Sequence, residues 1–197
     1  MSKTLTPGAC EKRLRETLTT RFGGVLRKGS HPIGGPEVCA LELLAEDMGL
    51  GRTDSPEATH TWDLRWLNDM NVPDELRTQH LLPVIAAYAG SMDWPRERQA
   101  QIARYIFIAT FREIISKYLP AKLRTECEAV KTIDHVVTCL NNIARDLNLA
   151  RTLDLALDLD LNLARTLDLA LALARALDEE KIFTGFCRIF LEAKEIA

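Results

Sequence analysis

The sequence predicts an all-α protein: a compact multi-helix domain with a leucine-rich, repeat-containing helical C-terminal region. Three observations carry this. Apolar residues recur at helical spacing along most of the chain. Helix starts and stops come in matched pairs, such as Thr6-Pro7 with Gly23-Gly24 and Pro36 with Gly49. The long C-terminal stretch is built of Leu, Ala, Arg and Asp, with almost no β-branched residue and no Gly or Pro.

In chain order, Thr6-Pro7 opens a first helix whose apolar face is Leu14, Leu18 and Phe22, and Gly23-Gly24 ends it. A loop follows from Val25 to Pro32, where Arg21, Arg27, Lys28 and His31 form a small basic cluster. It is not a phosphate-binding P-loop, because the Gly-Lys-Ser/Thr ending is missing. A second helix is predicted over Pro36–Met48, with proline at its first position, Cys39 in its first turn, and an apolar face of Val38, Leu41, Leu44, Ala45 and Met48. Gly51-Arg52-Thr53-Asp54-Ser55-Pro56-Glu57 reads as a turn. A helix is expected around Thr61–Met70, and another from Val72-Pro73-Asp74-Glu75 to Gly90, kinked or divided by Pro83. Asp93 should cap a long helix running to about Tyr118, ended by Leu119-Pro120. From Ala121 a heptad-like series (Leu123, Cys127, Val130, Ile133, Val137, Leu140, Ala144, Leu147) predicts one more strong helix.

The tail repeats itself. Leu147–Leu157 recurs identically as Leu161–Leu171, fourteen residues on. Leucine fills nearly every odd position from Leu147 to Leu177. That alternation is strand-like, but the composition favours helix, and the helical reading is adopted. A single helix from Ala121 to Asp178 would be about 87 Å long at 1.5 Å per residue, against a radius of gyration of about 16 Å for a compact domain of this size. The leucines of residues 144–178 are therefore expected to be hidden against other helices, in a hairpin or in a second subunit. The last helix, from Glu179, presents Ile182, Phe183, Phe186, Ile189, Phe190 and Ala193, a face that could cover the repeat. The organisation expected is a helical domain over 1–143 and a tail over 144–197, packed on that domain or on a second copy.

Composition narrows the function classes. With 197 residues and 47% hydrophobic content the chain can bury a sizeable core. A net charge of −3 gives no bulk attraction to nucleic acid or anionic membrane. The five cysteines show no disulfide or zinc-knuckle spacing, so reduced thiols in a cytoplasm are expected. No secretory leader and no membrane span is read.

Several residues are candidate sites. Cys39 with His31 has the makings of a thiolate–imidazole pair, oriented by Glu42 or Asp54, since nucleophilic catalysis needs a low-pKa thiol, a base within reach and an orienting group. A buried, inert thiol is the simpler reading. His135 and Cys139, four apart, match two metal ligands, although a structural zinc needs four. Arg96, Arg98, Arg104, Arg112 and Lys117 make one helix basic, diluted by Glu97 and Glu113. Trp62, Trp66 and Trp94 suit either a core or a partner anchor.

Taken as an ordered set, Gly29-Ser30-His31, Cys39-Ala40-Leu41-Glu42, Thr53-Asp54-Ser55-Pro56, Leu67-Asn68-Asp69, Arg77 and Leu81-Leu82 resemble a group of small uncharacterised proteins of actinobacteria and their phages, over roughly residues 26 to 90. The resemblance implies a phage or mobile-element context and no particular reaction. The leucine-rich tail departs from the group's usual short C-terminus, as a fused or expanded appendage would. The preferred reading is a non-enzymatic interaction module (an adaptor, inhibitor or assembly subunit) with a protein partner or self-association through the tail. It needs no cofactor and no metal. The alternatives are a small cysteine-dependent enzyme using Cys39 and His31, and a nucleic-acid-binding regulator, which is not favoured.

Overall fold

The computed structural model describes residues 6–55, 62–119, 121–136, 138–139 and 179–196, and among them the fold is all-α with no strand. The leucine-rich repeat, and the expectation that it is helical, lie outside the described residues. Two compact units emerge: Met1–Gln99 with Glu179–Ala197, and Ala100–Asp178. The last helix groups with the N-terminal elements.

In the first unit, α1 (Pro7–Arg21) starts where Thr6 caps Ala9 N–H and proline takes the first position. Leu14, Leu18 and Phe22 are buried, as their spacing predicts. Gly24 N–H returns to Leu18 O at 3.0 Å, with Gly23 and Gly24 at φ +72° and +86°, a region that favours glycine.

The second helix starts four residues later than predicted: α2 is Ala40–Asp47, with Cys39 as its N-cap. The cause is a capping box. Glu42 N–H donates to Cys39 Sγ at 3.4 Å, and the Glu42 carboxylate takes Cys39 N–H at 2.9 Å. Pro36 therefore sits in the preceding loop, and Met48 is 40% exposed and does not belong to the core face.

The helix expected around Thr61–Met70 reduces to the single turn α3 (Arg65–Asn68). Asp63 takes Arg65 N–H at its start, and beyond it the carbonyls of Asn68, Met70 and Val72 bond to Arg77 in place of a further turn. Helix α4 (Asp74–Tyr88) runs through Pro83 undivided and stops before Gly90, at φ +73°. A short 3₁₀ turn, Ser91–Asp93, follows, so Asp93 is not the cap expected, and α5 (Arg96–Glu113) starts after Pro95.

Helix α7 (Glu179–Ile196) buries Ile182, Phe183, Phe186, Ile189, Phe190 and Ala193. Its neighbour among the described elements is α4, which also packs on α1 and α2. Tyr88 OH donates to Phe190 O at 2.7 Å. Around Tyr88 and Phe186 the tryptophans make edge contacts: Trp62 with Tyr88 at 5.3 Å, Trp66 with Phe186 at 4.9 Å, and a tilted Trp94 with Tyr88 at 5.6 Å. The three tryptophans thus rim one aromatic cluster, and each is half-buried.

In the second unit, α5 gives way to a 3₁₀ turn at Ile115–Tyr118, so the long helix ends earlier than predicted. Helix α6 spans only Ala121–Glu128, where the heptad-like series had predicted continuation. Val130 N–H bonds to Cys127 O at 3.3 Å in a turn that breaks the helix, and helical backbone resumes at Ile133. No described helix is long and apolar enough to cross a membrane.

Candidate functional site

The polar residues gathered by residues 29–77 lie in the first unit. Glu42 is their centre. Its side chain is 3% exposed, and its oxygens accept from His31 N–H (2.6 Å), Cys39 N–H (2.9 Å) and His31 Nδ1 (2.9 Å). Burial alone would raise its carboxyl, but the N–H donors of Cys39 and His31 outweigh burial and hold it below the ordinary value of 4.5. So the imidazole is held by Glu42, the first of the two residues expected to orient it. Asp54 takes no such role.

Cys39 does not meet the needs of a nucleophile. It is 2% exposed, and its sulfur accepts a helix-capping bond. Burial pushes the thiol up to about 12, against the lowering effect of the Glu42 and Leu41 amides. The imidazole it would need is engaged at Nδ1, which donates to Glu42. We expect iodoacetamide to modify Cys39 in the native protein at least about a hundredfold more slowly than in the urea-unfolded chain, because the thiolate is the reacting species. Peptide mass spectrometry of timed samples checks this, and comparable rates would restore the enzyme reading.

A second set of bonds ties this centre to α3 and α4. Gly29 N–H donates to Asp69 Oδ1 at 3.1 Å and Ala40 N–H to Asn68 Oδ1 at 3.3 Å. Leu26 N–H donates to Thr78 Oγ1 at 2.8 Å. Arg77, 1% exposed, spreads its guanidinium over the carbonyls of Asn68, Met70 and Val72 and pairs with Asp74. These bonds clamp loop 29–39 and the 68–69 turn onto α2, with Arg77 as the far anchor. Sequence reasoning gave Arg77 no chemical role. A signal was there: Arg77 shares a helical face with Leu81, Val84 and Tyr88, all buried, so its charge had to be satisfied internally.

Both arginines of the basic cluster are paired with acids. Arg21 pairs with Glu46, and Arg27 with Asp74 and Glu37. On α5, Arg98 lies 4.1 Å over the Trp94 ring and Arg112 pairs with Glu113. His135 is exposed and Cys139 is buried. Burial and then the neighbouring Cys139 push the Cys127 thiol up to about 12. Among the described residues no group of three or more His, Cys, Asp and Glu gathers as a metal site would. All five cysteines are unpaired and buried.

Beside the clamp lies an open cleft of about 590 Å³, walled by Phe22, the Ile33–Pro36 turn and the Gly51-Arg52 turn. Ile33 stands 84% exposed at it. Arg52 closes one wall: its Nη1 donates to Gly35 O at 2.9 Å, and its guanidinium lies 5.2 Å from the Phe22 ring centre. Arg52 was read from sequence only as part of a turn.

Compared with protein-family models, with curated proteins and with solved structures, the chain matches none.

Proposed function

We propose that this chain is a non-enzymatic helical interaction module and that it docks a protein partner at the Ile33–Arg52 cleft. The observation that carries the reading is that cleft, a cavity of about 590 Å³ with a large apolar side chain, Ile33, left 84% exposed at it. The clamp beneath holds the loop on either side of the Ile33–Pro36 wall, at His31 and Cys39, so binding has little further chain to order. The polar groups that an enzyme would spend on substrate are engaged within the fold: Cys39 caps α2, and His31 and Glu42 hold each other. Exposed Leu50, 49% accessible, follows α2 and adds apolar surface one residue before the Gly51-Arg52 wall. Five buried free thiols agree with a reducing, cytoplasmic location. Self-association through residues 144–178, and a phage-related origin, are proposals that rest on sequence alone.

The test uses a random-peptide library displayed on yeast and selected on the full chain. Enriched peptides, resynthesised, should bind the parent and lose at least about tenfold in affinity against Ile33→Asp, the loss of one well-packed apolar contact. Ile33 is exposed, so the variant should fold. Binding that ignores Ile33→Asp, or no enrichment at all, would count against this site.

A further inference from the structure

The cleft also states what kind of partner residue it takes, an inference that rests on the docking reading above. Arg52 has a side chain only 5% exposed, yet its Nε and Nη2 have no hydrogen-bond partner. Such orphaned donors are rare in native proteins and call for an explanation. They are also not an arbitrary pair. Nε–H and one Nη2–H leave the same edge of the guanidinium, side by side, and that edge matches the two oxygens of a carboxylate. The other nitrogen, Nη1, is already spent on Gly35 O.

The nearest carboxylate in the fold does not fill the edge. Glu42 Oε2 stands 4.0 Å from Nε, beyond hydrogen-bond distance, and both Glu42 oxygens are engaged by His31 and Cys39. Glu42 thus offsets the charge of Arg52 without supplying acceptors. The second cation at the cleft, Arg21, is paired with Glu46. The cleft therefore has no spare cation to balance a dianionic phosphate, and a single carboxylate would be held there by the paired donors and not by net charge. Ile33, Phe22 and Pro36 line the same cleft as Arg52 and offer apolar contact.

We propose that the cleft receives an Asp or Glu side chain of a protein partner, flanked by an apolar residue, with the carboxylate bidentate on Nε and Nη2 of Arg52. Both nitrogens are closed to solvent, so the carboxylate enters as a wall of the cleft eases outward. The Pro32–Gly35 turn is the wall that would move: it is exposed at Pro32, Ile33 and Gly34, and two bonds hold it, Gly35 N–H to Pro32 O at 3.0 Å and Arg52 Nη1 to Gly35 O at 2.9 Å.

Peptides selected on the full chain as above decide the matter by fluorescence anisotropy. The expected result is an enriched Asp or Glu beside an apolar residue, with about a tenfold or greater loss when that acid is changed to Gln in the peptide. Arg52→Lys keeps the charge but removes the paired donors, and should weaken the same peptide comparably while thermal melting stays cooperative. The peptide change needs no protein variant, so it decides even where Arg52→Lys unfolds. Peptides that depend on Ile33 but tolerate the change to Gln, or bind Arg52→Lys unchanged, overturn the acidic-partner inference and leave the docking reading standing. Displacement of the peptide by inorganic phosphate at concentrations where acetate is inert also overturns it. Peptides indifferent to Ile33→Asp and to Arg52→Lys, or an empty selection, remove both.

Discussion

Arg77→Met is expected to destabilise the protein by about 3–5 kcal/mol, the scale seen when one partner of a buried charged network is removed. Methionine keeps most of the stem volume, so the loss reports hydrogen bonds and charge and not a cavity. Three carbonyls, on Asn68, Met70 and Val72, lose the donors they have at 2.9, 3.0 and 3.1 Å. Each buried acceptor left unpaired costs about 1–3 kcal/mol before relaxation. Asp74 keeps Arg27 and so is not stranded. Against a typical domain stability of about 5–15 kcal/mol, the variant should unfold at a much lower urea midpoint with an unchanged slope. Arg77→Lys should recover less than half the loss, because one ammonium cannot span three carbonyls and a carboxylate. A Met variant within about 1 kcal/mol of the parent would mean that these carbonyls find other donors, and that Arg77 is not the anchor of the clamp.

The elements that sequence made legible are those whose signals are local. Every apolar position picked out on α7, from Ile182 to Ala193, is buried, because the helical period alone decides it. The start of α1 at Thr6-Pro7 is equally local. The start of α2 was misjudged because proline after two glycines resembles a first turn, while the true cap is a cysteine. Cys39-x-x-Glu42 has the spacing of a capping box, with sulfur in the place usually held by a hydroxyl oxygen. Helices α3 and α6 were overextended for one reason. Apolar spacing continues across the breaks, whereas the breaks come from hydrogen bonds that periodicity cannot express: Arg77 gathering carbonyls after α3, and Val130 turning back to Cys127 after α6. The candidate site was half legible. His31, Cys39 and Glu42 were singled out together, and they do meet, but as a cap and brace. Arg52 and Arg77 depend on partners brought close by the fold, Gly35 and the 68–72 turn, so the buried face of Arg77 told that it needed partners and not which ones.

Glu42→Gln should cost about 2–4 kcal/mol at neutral pH, since hydrogen bonds to an ionised acceptor contribute about 1.5–3 kcal/mol each and an amide can replace only part of them. The amide's own N–H₂ would face donors, the backbone N–H groups of His31 and Cys39, on at least one side. The penalty should also depend on pH, in a direction the carboxyl fixes. Its folded-state value lies below 4.5, held there by those N–H donors against the opposing effect of burial. A group with a depressed pKa contributes its full stabilisation above the unfolded value and loses it as pH falls through the folded one. The parent should therefore lose stability below about pH 4.5 through this group, while the Gln variant, having nothing to protonate there, loses less. The gap between the two should be widest near neutrality and close progressively in acid. The other charged or titratable groups facing Glu42 are His31, Cys39 and Arg52; all three stay in both proteins, and the substitution also removes the carboxylate that His31 and Arg52 face, which adds to the gap at neutral pH. Urea midpoints of parent and variant from pH 3 to pH 8 measure the gap directly. A gap that stays constant across that range would show that the carboxylate's charge does not bind the loop, and a gap near zero at pH 7 would show that Glu42 is dispensable to the clamp that shapes the cleft.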